Sequence, residues 1–230
     1  MEAQRTLDWY RARLGNVTGS RVADIMKSGR KKDEEFGDTA MTYIYSLAAE
    51  RDMNPVIIED DAAFEEYLYQ VNVETKAMRW GTEQEQHARE LYEKKTGRRI
   101  VEVGSCKHPT IEHFASSPDG FFYDENTGEK GCIEIKCPTQ AVFMKYSSNV
   151  RDSATLLLTE PKYFFQCMAH MMCTRADWCD FVVFNPFQKR PLHIVRILPD
   201  KSAFTAIEDK INKANELINS LLHGKRDTGN

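Results

Sequence analysis

The spacing of the apolar residues changes near residue 97. Before that point they recur at helical intervals, and after it short runs of alternating apolar and polar residues indicate strands. Helices are predicted over 7–14, 20–27, 39–52, 59–70, 76–95, 161–173 and 200–221, and around Val142 and Tyr146. Strands are predicted over 99–103, 112–116, 121–123, 132–137, 180–184 and 193–198. This order of elements predicts an α/β fold in which a central mixed β-sheet is flanked by helices.

The chain contains no low-complexity linker and no internal repeat. Its 230 residues are the size of one large domain. We therefore expect a single domain over residues 1–230. In this domain a helical N-terminal part (1–97) packs on a core (98–198), and a C-terminal helix (200–223) follows.

Composition narrows the class of protein. No stretch approaches the roughly 18 consecutive apolar residues of a transmembrane helix. Residues 1–5 lack the apolar segment of a signal peptide, so we expect a cytoplasmic protein with no membrane partner. The six cysteines include no C-x-x-C pair, which argues against a zinc ribbon and favours reduced, buried thiols. The net charge of −4 argues against a uniformly basic surface, but it allows basic residues to be concentrated on one face.

The strongest functional pattern is a pair of motifs in the strand region. The sequence SPDG (117–120) is followed by EIK (134–136) after a turn-rich connection. If the flanking strands pair antiparallel about residues 126–127, Asp119 lies opposite Glu134, with Cβ atoms about 4.5–5.5 Å apart. Two carboxylates this close repel each other unless a cation lies between them. The alternative is a solvated hairpin whose second motif simply holds a Glu/Lys pair.

Strand alternation adds to this pattern. Glu134 and Lys136 are predicted to point to one face of the strand, and Ile133, Ile135 and Cys137 to the other. An otherwise apolar strand would therefore carry an acid and a base side by side.

A third carboxylate is predicted to face inward from the long helix. This helix begins after Thr75, its N-cap, and ends at Gly97. Glu85 lies on the inward stripe of this helix and not on its polar face. A buried carboxylate needs a partner, which is either a cation shared with the strand carboxylates or a core cation such as Arg79.

These oxygen ligands favour one kind of metal. Carboxylates without a nearby histidine cluster favour Mg²⁺ or Mn²⁺ over Zn²⁺. Such a site activates water and stabilises the charge that develops during phosphodiester hydrolysis. Lys136 could position or deprotonate the attacking water.

Several segments together resemble a known family. The two halves Pro118-Asp119 and Glu134-Ile135-Lys136 resemble the PD-(D/E)xK nuclease superfamily. From about residue 7 to residue 185, further segments are similar in order and spacing to the phage lambda exonuclease (YqaJ-type viral recombinase) family. These segments are WYRARLG (9–15), VTGS (17–20), RWGTEQE (79–85), SSPDG (116–120), EIKCP (134–138) and YFFQ (163–166).

The resemblance implies roles for individual residues. The residues implied to bind two metal ions are Asp119, Glu134, Glu85 and, through its main-chain carbonyl, Ile135. Lys136 would be catalytic, and Gln166 would lie at the active site. The residues implied to hold the 5′-phosphate of a DNA end are Arg13, Ser20 and Ser117. Met78 would be an apolar wedge that helps to separate the strands.

A different role is open for Arg13. It could instead form a surface ion pair with Asp8 or Asp24.

The resemblance also implies an activity and an assembly. The activity is a Mg²⁺-dependent 5′→3′ exonuclease that acts on double-stranded DNA ends, releases mononucleotides and leaves 3′ overhangs. A ring-shaped homotrimer and a single-strand annealing protein would be its partners, in a bacterial host that carries the gene on a phage or prophage. The alternatives are a structure-specific or restriction-type endonuclease on the same core, and a non-catalytic module that binds DNA ends.

Three further segments carry weaker signals. The acidic stretch 52–76 looks like an insertion relative to the family, and we expect it on an outer surface. His170 follows Gln166 by one helical turn; we expect a structural histidine, although it could face the site. The basic run 30–32 could contact DNA phosphates or be solvated.

Overall fold

Helices dominate the first 97 residues and most strands follow, as the sequence indicates. A computed structural model of the chain describes residues 4–29, 34–72 and 75–227. The helices are α1 (Leu7–Arg13), α2 (Val22–Ile25), α3 (Asp38–Arg51), α4 (Pro55–Glu59), α5 (Asp61–Val71), α6 (Lys76–Thr96), α7 (Gln140–Asn149), α8 (Ser153–Thr159), α9 (Pro161–Thr174) and α10 (Lys201–Asp227). The strands are β1 (Val17–Thr18), β2 (Cys106–Lys107), β3 (Phe114–Ser116), β4 (Gly120–Tyr123), β5 (Lys130–Lys136), β6 (Trp178–Phe184) and β7 (Leu192–Ile197).

The strands form two sheets, both of them mixed. The four-stranded sheet has the order β4-β5-β6-β7, with β5 and β6 parallel and the other pairs antiparallel. The three-stranded sheet has the order β1-β3-β2, with β1 parallel to β3. The predicted α/β class with a mixed sheet among helices is confirmed, although the strands divide between two sheets.

The four-stranded sheet is covered on both faces, as the alternation along β5 predicts. Ile133 and Ile135 pack with Ala88 and Tyr92 of α6 in one apolar cluster. The opposite face packs on α9 in a larger cluster whose members extend along the chain from Val17 to Ile218. Hence β5 runs through the middle of the molecule between two helices.

Helix ends follow the capping rules closely. The hydroxyl of Thr75 accepts a hydrogen bond from the Met78 N–H, and Gly97 ends α6 with a left-handed φ of 73°. Both predicted ends of this helix are confirmed. The helix predicted over 59–70 is α5, which begins at Asp61 because the Asp60 carboxylate caps it; the short helix α4 that precedes it was not predicted.

Two strand predictions need correction. The strand expected at 99–103 is reduced to one bridge between Val101 and Phe121. The strand expected from residue 112 starts only at Phe114, because His113 has a left-handed φ of 54° that breaks extended pairing.

Among the described residues, no helix combines the length and the apolar character needed to cross a membrane.

Candidate active site

Two carboxylates lie side by side at the end of the β4–β5 hairpin. The ladder pairs Gly120 with Ile133, and the Asp119 N–H donates to the Ile133 carbonyl at 3.0 Å. The Ile135 N–H in turn donates to a carboxylate oxygen of Asp119 at 2.6 Å. Asp119 therefore lies opposite Glu134, in the register that the sequence predicts.

Glu134 is the most deeply buried acid of the site, with 1% of its side chain exposed. The Lys136 ammonium contacts one of its carboxylate oxygens. The other oxygen lies 2.6 Å from Nε2 of His170, whose Nδ1 lies 2.7 Å from the Ser116 hydroxyl. Because an ionised carboxylate only accepts hydrogen bonds, Nε2 carries the hydrogen that it shares with Glu134. The chain Ser116–His170–Glu134 thus connects β3, α9 and β5, and His170 belongs to the site as a satisfied histidine.

The protonation of these groups is set by burial and by one another. Burial, and then the charges of Glu134 and Glu85, hold the pKa of Asp119 well above its ordinary value. Burial opposes ionisation of Glu134, but Lys136 and His170 outweigh it and hold the pKa of Glu134 below its ordinary value. Burial would also lower the pKa of Lys136, yet the charges of Glu134 and Asp119 raise it. The site therefore holds a protonated lysine beside one ionised carboxylate and one that favours its proton.

Glu85 points inward from α6, as predicted, with 15% of its side chain exposed. It forms ion pairs with Arg5 at 2.9 Å and Arg89 at 3.0 Å. Its partners are thus arginines, the exposed Arg5 and the partly buried Arg89, and not the Arg79 that the sequence suggested. The charge of Glu85 still contributes to the raised pKa of Asp119, so the two acids are near each other.

The donor set can be tested for its fit to a divalent cation. Across the described residues, no group of three or more His, Cys, Asp or Glu side chains is arranged as a metal site. However, the Glu134 carboxylate, whose Oε1 contacts the Lys136 ammonium, lies beside Asp119, whose pKa is raised. Two neighbouring carboxylates with these properties suit a hard cation such as Mg²⁺. The fit thus rests on Asp119 and Glu134, while the side chain of Glu85 is held by its arginines.

The remaining predicted catalytic residue is Gln166. Its side chain is buried on α9, one turn before His170. Lys136 lies on the same side of the sheet, with its Nζ 4.9 Å from the centroid of the Tyr163 ring.

Arg13 and Ser117 are brought together as the resemblance implies. The Arg13 guanidinium stacks over the Trp9 ring at 4.2 Å and donates to the Ser117 hydroxyl at 3.4 Å. The Trp9 indole N–H donates to the same hydroxyl at 3.1 Å. Since Ser117 is two residues from Asp119, this cationic cluster adjoins the carboxylates.

The alternative ion pairs of Arg13 do not form. Asp8 pairs with Arg11 at 3.1 Å, and Asp24 pairs with Arg21 at 3.1 Å. Among the ion pairs within the described chain, none includes Arg13. Burial lowers the pKa of the Arg13 guanidinium, although the charge of Glu50 acts in the opposite direction.

The other predicted DNA-binding residues lie on separate elements. Ser20 is in a 3₁₀ turn, Gly19–Arg21, that packs directly on β3. A Cβ atom at Gly19 would lie 1.9 Å from the Ser116 hydroxyl, so only glycine allows this approach. Met78 is 58% exposed in the first turn of α6. The basic run 30–32 lies outside the described residues.

Sequence reasoning missed several participants. Trp9 is four residues before Arg13 and Arg89 is four residues after Glu85, and this helical spacing was an available signal for both contacts. The contacts of Ser116 and Arg5 had no comparable signal.

The fold defines a class of protein. Opposed strand carboxylates at a β-hairpin, a Glu-x-Lys strand and helices on both faces of a mixed sheet make up a PD-(D/E)xK nuclease core. A family model, the YqaJ-like viral recombinase domain, matches residues 8–177, and the chain belongs to this family. The predicted family is confirmed. No curated protein matches the chain.

Solved structures agree with this assignment. The chain is similar to an alkaline exonuclease (LHK-Exo) from Laribacter hongkongensis, with a TM-score of 0.76, 29% identity and coverage of 96% of this chain and 97% of the other. The same enzyme in complex with dAMP gives a TM-score of 0.75 at 29% identity and the same coverage. A phage-related exonuclease from Haemophilus somnus 129PT shares the fold, with a TM-score of 0.64, 17% identity and coverage of 91% and 96%.

Proposed function

We propose that this chain is a Mg²⁺-dependent exonuclease that degrades double-stranded DNA 5′→3′, releases mononucleotides and leaves 3′ overhangs. The observation that carries the proposal is the neighbouring pair of the partly buried Asp119 and the buried Glu134, with Lys136 in contact, in a chain of the YqaJ-like family. The similar alkaline exonuclease binds dAMP, and a deoxynucleoside monophosphate is the product that this reaction would give.

Asp119, Glu134 and the main-chain carbonyl of Ile135 would hold the metal. Glu85 would become a ligand of a second ion by giving up one of its arginine partners. Mn²⁺ suits the same oxygen donors. When bound, the metal activates water and stabilises the charge of the transition state.

The other side chains have separable roles. Lys136 keeps its proton beside Glu134, which favours positioning the water and offsetting negative charge over deprotonating the water. His170 holds the Glu134 carboxylate from the opposite side. In the described chain the Gln166 side chain forms no hydrogen bond, so its amide is available to a substrate or a water at the active site.

End recognition would use the Arg13 cluster. Among the described residues Arg13 forms no ion pair, and it shares the Ser117 hydroxyl with Trp9, which suits a terminal 5′-phosphate. Ser20 would add a hydroxyl from the neighbouring turn, and Met78 would be the exposed wedge at the duplex end.

We also propose a homotrimeric ring around the DNA. Basic side chains would face its channel and acidic ones would face outward, which reconciles a net charge of −4 with DNA binding. The acidic stretch 52–76 would lie outside. Residues 1–230 would act as one domain, since a single apolar cluster includes side chains from Val17 to Ile218. Light scattering at micromolar concentration should give three protomer masses, and a single-protomer mass would contradict the ring.

The biological setting follows from the family. We place the enzyme in the cytoplasm of a bacterial host, encoded by a phage or prophage. Its 3′ overhangs would be the substrate of a single-strand annealing protein in recombination.

One digestion experiment tests the proposed reaction. End-labelled linear duplex with a 5′-phosphate or a 5′-hydroxyl is incubated with and without Mg²⁺, beside a nicked circular duplex. We expect Mg²⁺-dependent release of mononucleotides from the 5′-phosphorylated linear duplex. Cleavage of the circular duplex away from its nick would indicate an endonuclease, and binding without cleavage at any metal concentration would indicate a binding module.

A further inference from the structure

A pair of stacked aromatic rings lies beside the candidate active site. Trp80 of α6 and Phe187 of the β6–β7 turn have ring centroids 5.8 Å apart and planes inclined by 16°. Phe187 is 68% exposed. We call this pair the aromatic platform. An apolar ring that is both stacked and open to solvent is suited to bind another flat ring.

The platform forms one side of a groove of about 510 Å³. The other side is the segment 137–140, which directly continues β5 beyond Lys136. Cys137 directly follows Lys136, so the groove adjoins the strand that carries the proposed catalytic residues. A groove of this volume suits a ligand of nucleotide size, and it opens next to the proposed catalytic residues.

The turn that carries Phe187 is fixed in place. Asn185 is buried, and its amide donates to the Pro138 carbonyl at 2.8 Å. The side-chain oxygen of Asn185 accepts from the Phe187 N–H at 3.0 Å. The ring is therefore held against the catalytic strand before any ligand binds, which reduces the entropic cost of binding.

The charges around the groove favour an anion. Lys76 lines it, and Lys189 and Arg190 are exposed in the same turn as Phe187. The described lining contains no acidic side chain. A ligand that combines a flat apolar ring with negative charge is a nucleotide, and proteins bind single strands with aromatic rings and cationic side chains in this way.

We propose that the aromatic platform stacks the base of an unpaired nucleotide of the DNA substrate, with the adjoining phosphates near Lys189 and Arg190. This inference rests on the proposed function and adds a single-strand binding site to it. The site lies on the side of Lys136 formed by the β6–β7 turn, separate from the Arg13 cluster at the 5′-phosphate.

The test is a binding experiment without catalysis. Fluorescence anisotropy in EDTA gives the Kd for labelled duplexes that have a short unpaired end and a single abasic nucleotide at each successive position of either strand. For the unmodified protein, one abasic position should weaken binding by about 5- to 150-fold, the effect of losing one stacked base. In Phe187→Ala the intact DNA should bind more weakly by a similar factor, and the same abasic nucleotide should cause no further loss.

Two variants serve as controls. Phe187→Tyr should retain the position-specific loss, because it keeps a flat ring. Tyr69→Ala removes an aromatic ring that is 80% exposed on α5, and it should bind every DNA as the unmodified protein does. Since Phe187 is exposed, its truncation should leave thermal unfolding nearly unchanged.

The outcomes separate the two proposals. If Phe187→Ala keeps full affinity and the same abasic losses while the unmodified protein digests DNA, the platform is wrong and the exonuclease stands. If Phe187→Ala lowers the oligomer mass and weakens all DNAs equally, the platform is an interface between copies and not a base-binding site. If the unmodified protein neither binds nor digests DNA ends, the proposed function itself fails.

Discussion

The two faces of the four-stranded sheet each bury a strand carboxylate, and the surroundings of these two acids differ. Asp180, on the face toward α6, is 2% exposed. It accepts hydrogen bonds from the Tyr92 hydroxyl at 2.7 Å and from two nitrogens of Arg196 at 2.9 and 3.0 Å. Every donor that faces Asp180 is matched to it, so this acid is fully neutralised within the protein.

Glu134, on the face toward α9, is buried to the same degree but belongs to a different kind of cluster. The Lys136 ammonium contacts it and His170 is hydrogen-bonded to it, yet Asp119 lies directly beside it. Burial and the neighbouring acids raise the pKa of Asp119 as a result. One face therefore completes its charges internally, and the other holds a carboxylate that an added cation would satisfy.

The same contrast separates two arginines that stack on tryptophan rings. Arg196 lies 3.8 Å from the centroid of Trp178 and is bound by Asp180. Arg13 lies 4.2 Å from the centroid of Trp9, and its hydrogen bond goes to the neutral hydroxyl of Ser117. Removing the partner of a buried ion pair leaves an uncompensated charge in the protein, whereas a largely buried arginine that forms no ion pair is a candidate for binding an anion.

The largest expected effect is on the chemical step. Asp119→Asn, Glu134→Gln and Lys136→Met should each lower turnover by roughly 10²–10⁴ or more, because each removes a metal ligand or the group that positions water. Asp119→Asn should not lower the thermal stability of the metal-free protein, since it removes a repelled charge. Turnover close to that of the unmodified enzyme in any of the three would contradict the assignment.

For Asp180, the acid that Arg196 neutralises, we expect a change in stability and not in turnover. Arg196→Met leaves Asp180 without its cation and should lower the free energy of unfolding by roughly 3 kcal/mol. Urea denaturation measures this change, and turnover per folded molecule should stay near its original value. Asp61→Asn removes the exposed pair with Arg11 and is the control, with little expected change. If Arg196→Met instead lowered turnover without lowering stability, the contrast between the two faces would be wrong.

Substitution of Arg13 should have an effect that depends on the 5′ end of the DNA substrate. Arg13→Ala should slow digestion of 5′-phosphorylated duplex by about 10–150-fold, the value of a charge-assisted contact, and should barely affect 5′-hydroxyl duplex. Arg11→Ala changes the same helix at a residue already paired with Asp8, so it should change the rates on 5′-phosphorylated and 5′-hydroxyl duplexes by the same factor. Equal rates on the two ends in the unmodified enzyme would remove the basis for a phosphate pocket and for 5′→3′ polarity.

Sequence patterns predicted the parts of this structure that local rules control. The opposition of Asp119 and Glu134 follows from hairpin register, and the inward position of Glu85 follows from helical period; both are found in the fold. The strand expected at 99–103 failed, because pairing depends on a partner edge that the local sequence does not specify.

Hairpin register and helical period could not predict contacts between segments that are distant in the sequence. The Ser116–His170 hydrogen bond joins residues 54 apart, and the Arg5–Glu85 pair joins residues 80 apart. Such pairs arise when β3 and α9, or the N-terminal segment and α6, pack together. The identities of the acids could therefore be predicted, but the partners that decide which acid is neutralised could not.

The smallest expected effect is a pH dependence of the stability that Mg²⁺ adds to the protein. The pKa of Asp119 is higher in the folded protein than in the unfolded chain, where it is about 3.9. Below that pH, Asp119 is protonated in both the folded and the unfolded state, so it does not change the free energy of unfolding. As the pH rises from there toward the folded pKa, the unfolded chain ionises first, and the metal-free protein loses stability. Glu134, whose pKa is lowered, contributes in the opposite direction, so the comparison of the unmodified protein with Asp119→Asn isolates Asp119.

Mg²⁺ binds the ionised carboxylate, so its stabilising effect should grow with pH over the same range. At ten times its Kd, Mg²⁺ should add about 1.4 kcal/mol to the free energy of unfolding. Thermal unfolding between pH 5 and pH 8, with and without Mg²⁺, measures this change in the absence of DNA. Asp119→Asn should abolish most of the shift, because the protein then offers only the Glu134 carboxylate and a carbonyl. A Mg²⁺ shift that is independent of pH, or equal in the variant, would mean that Asp119 is not the acid that the cation satisfies.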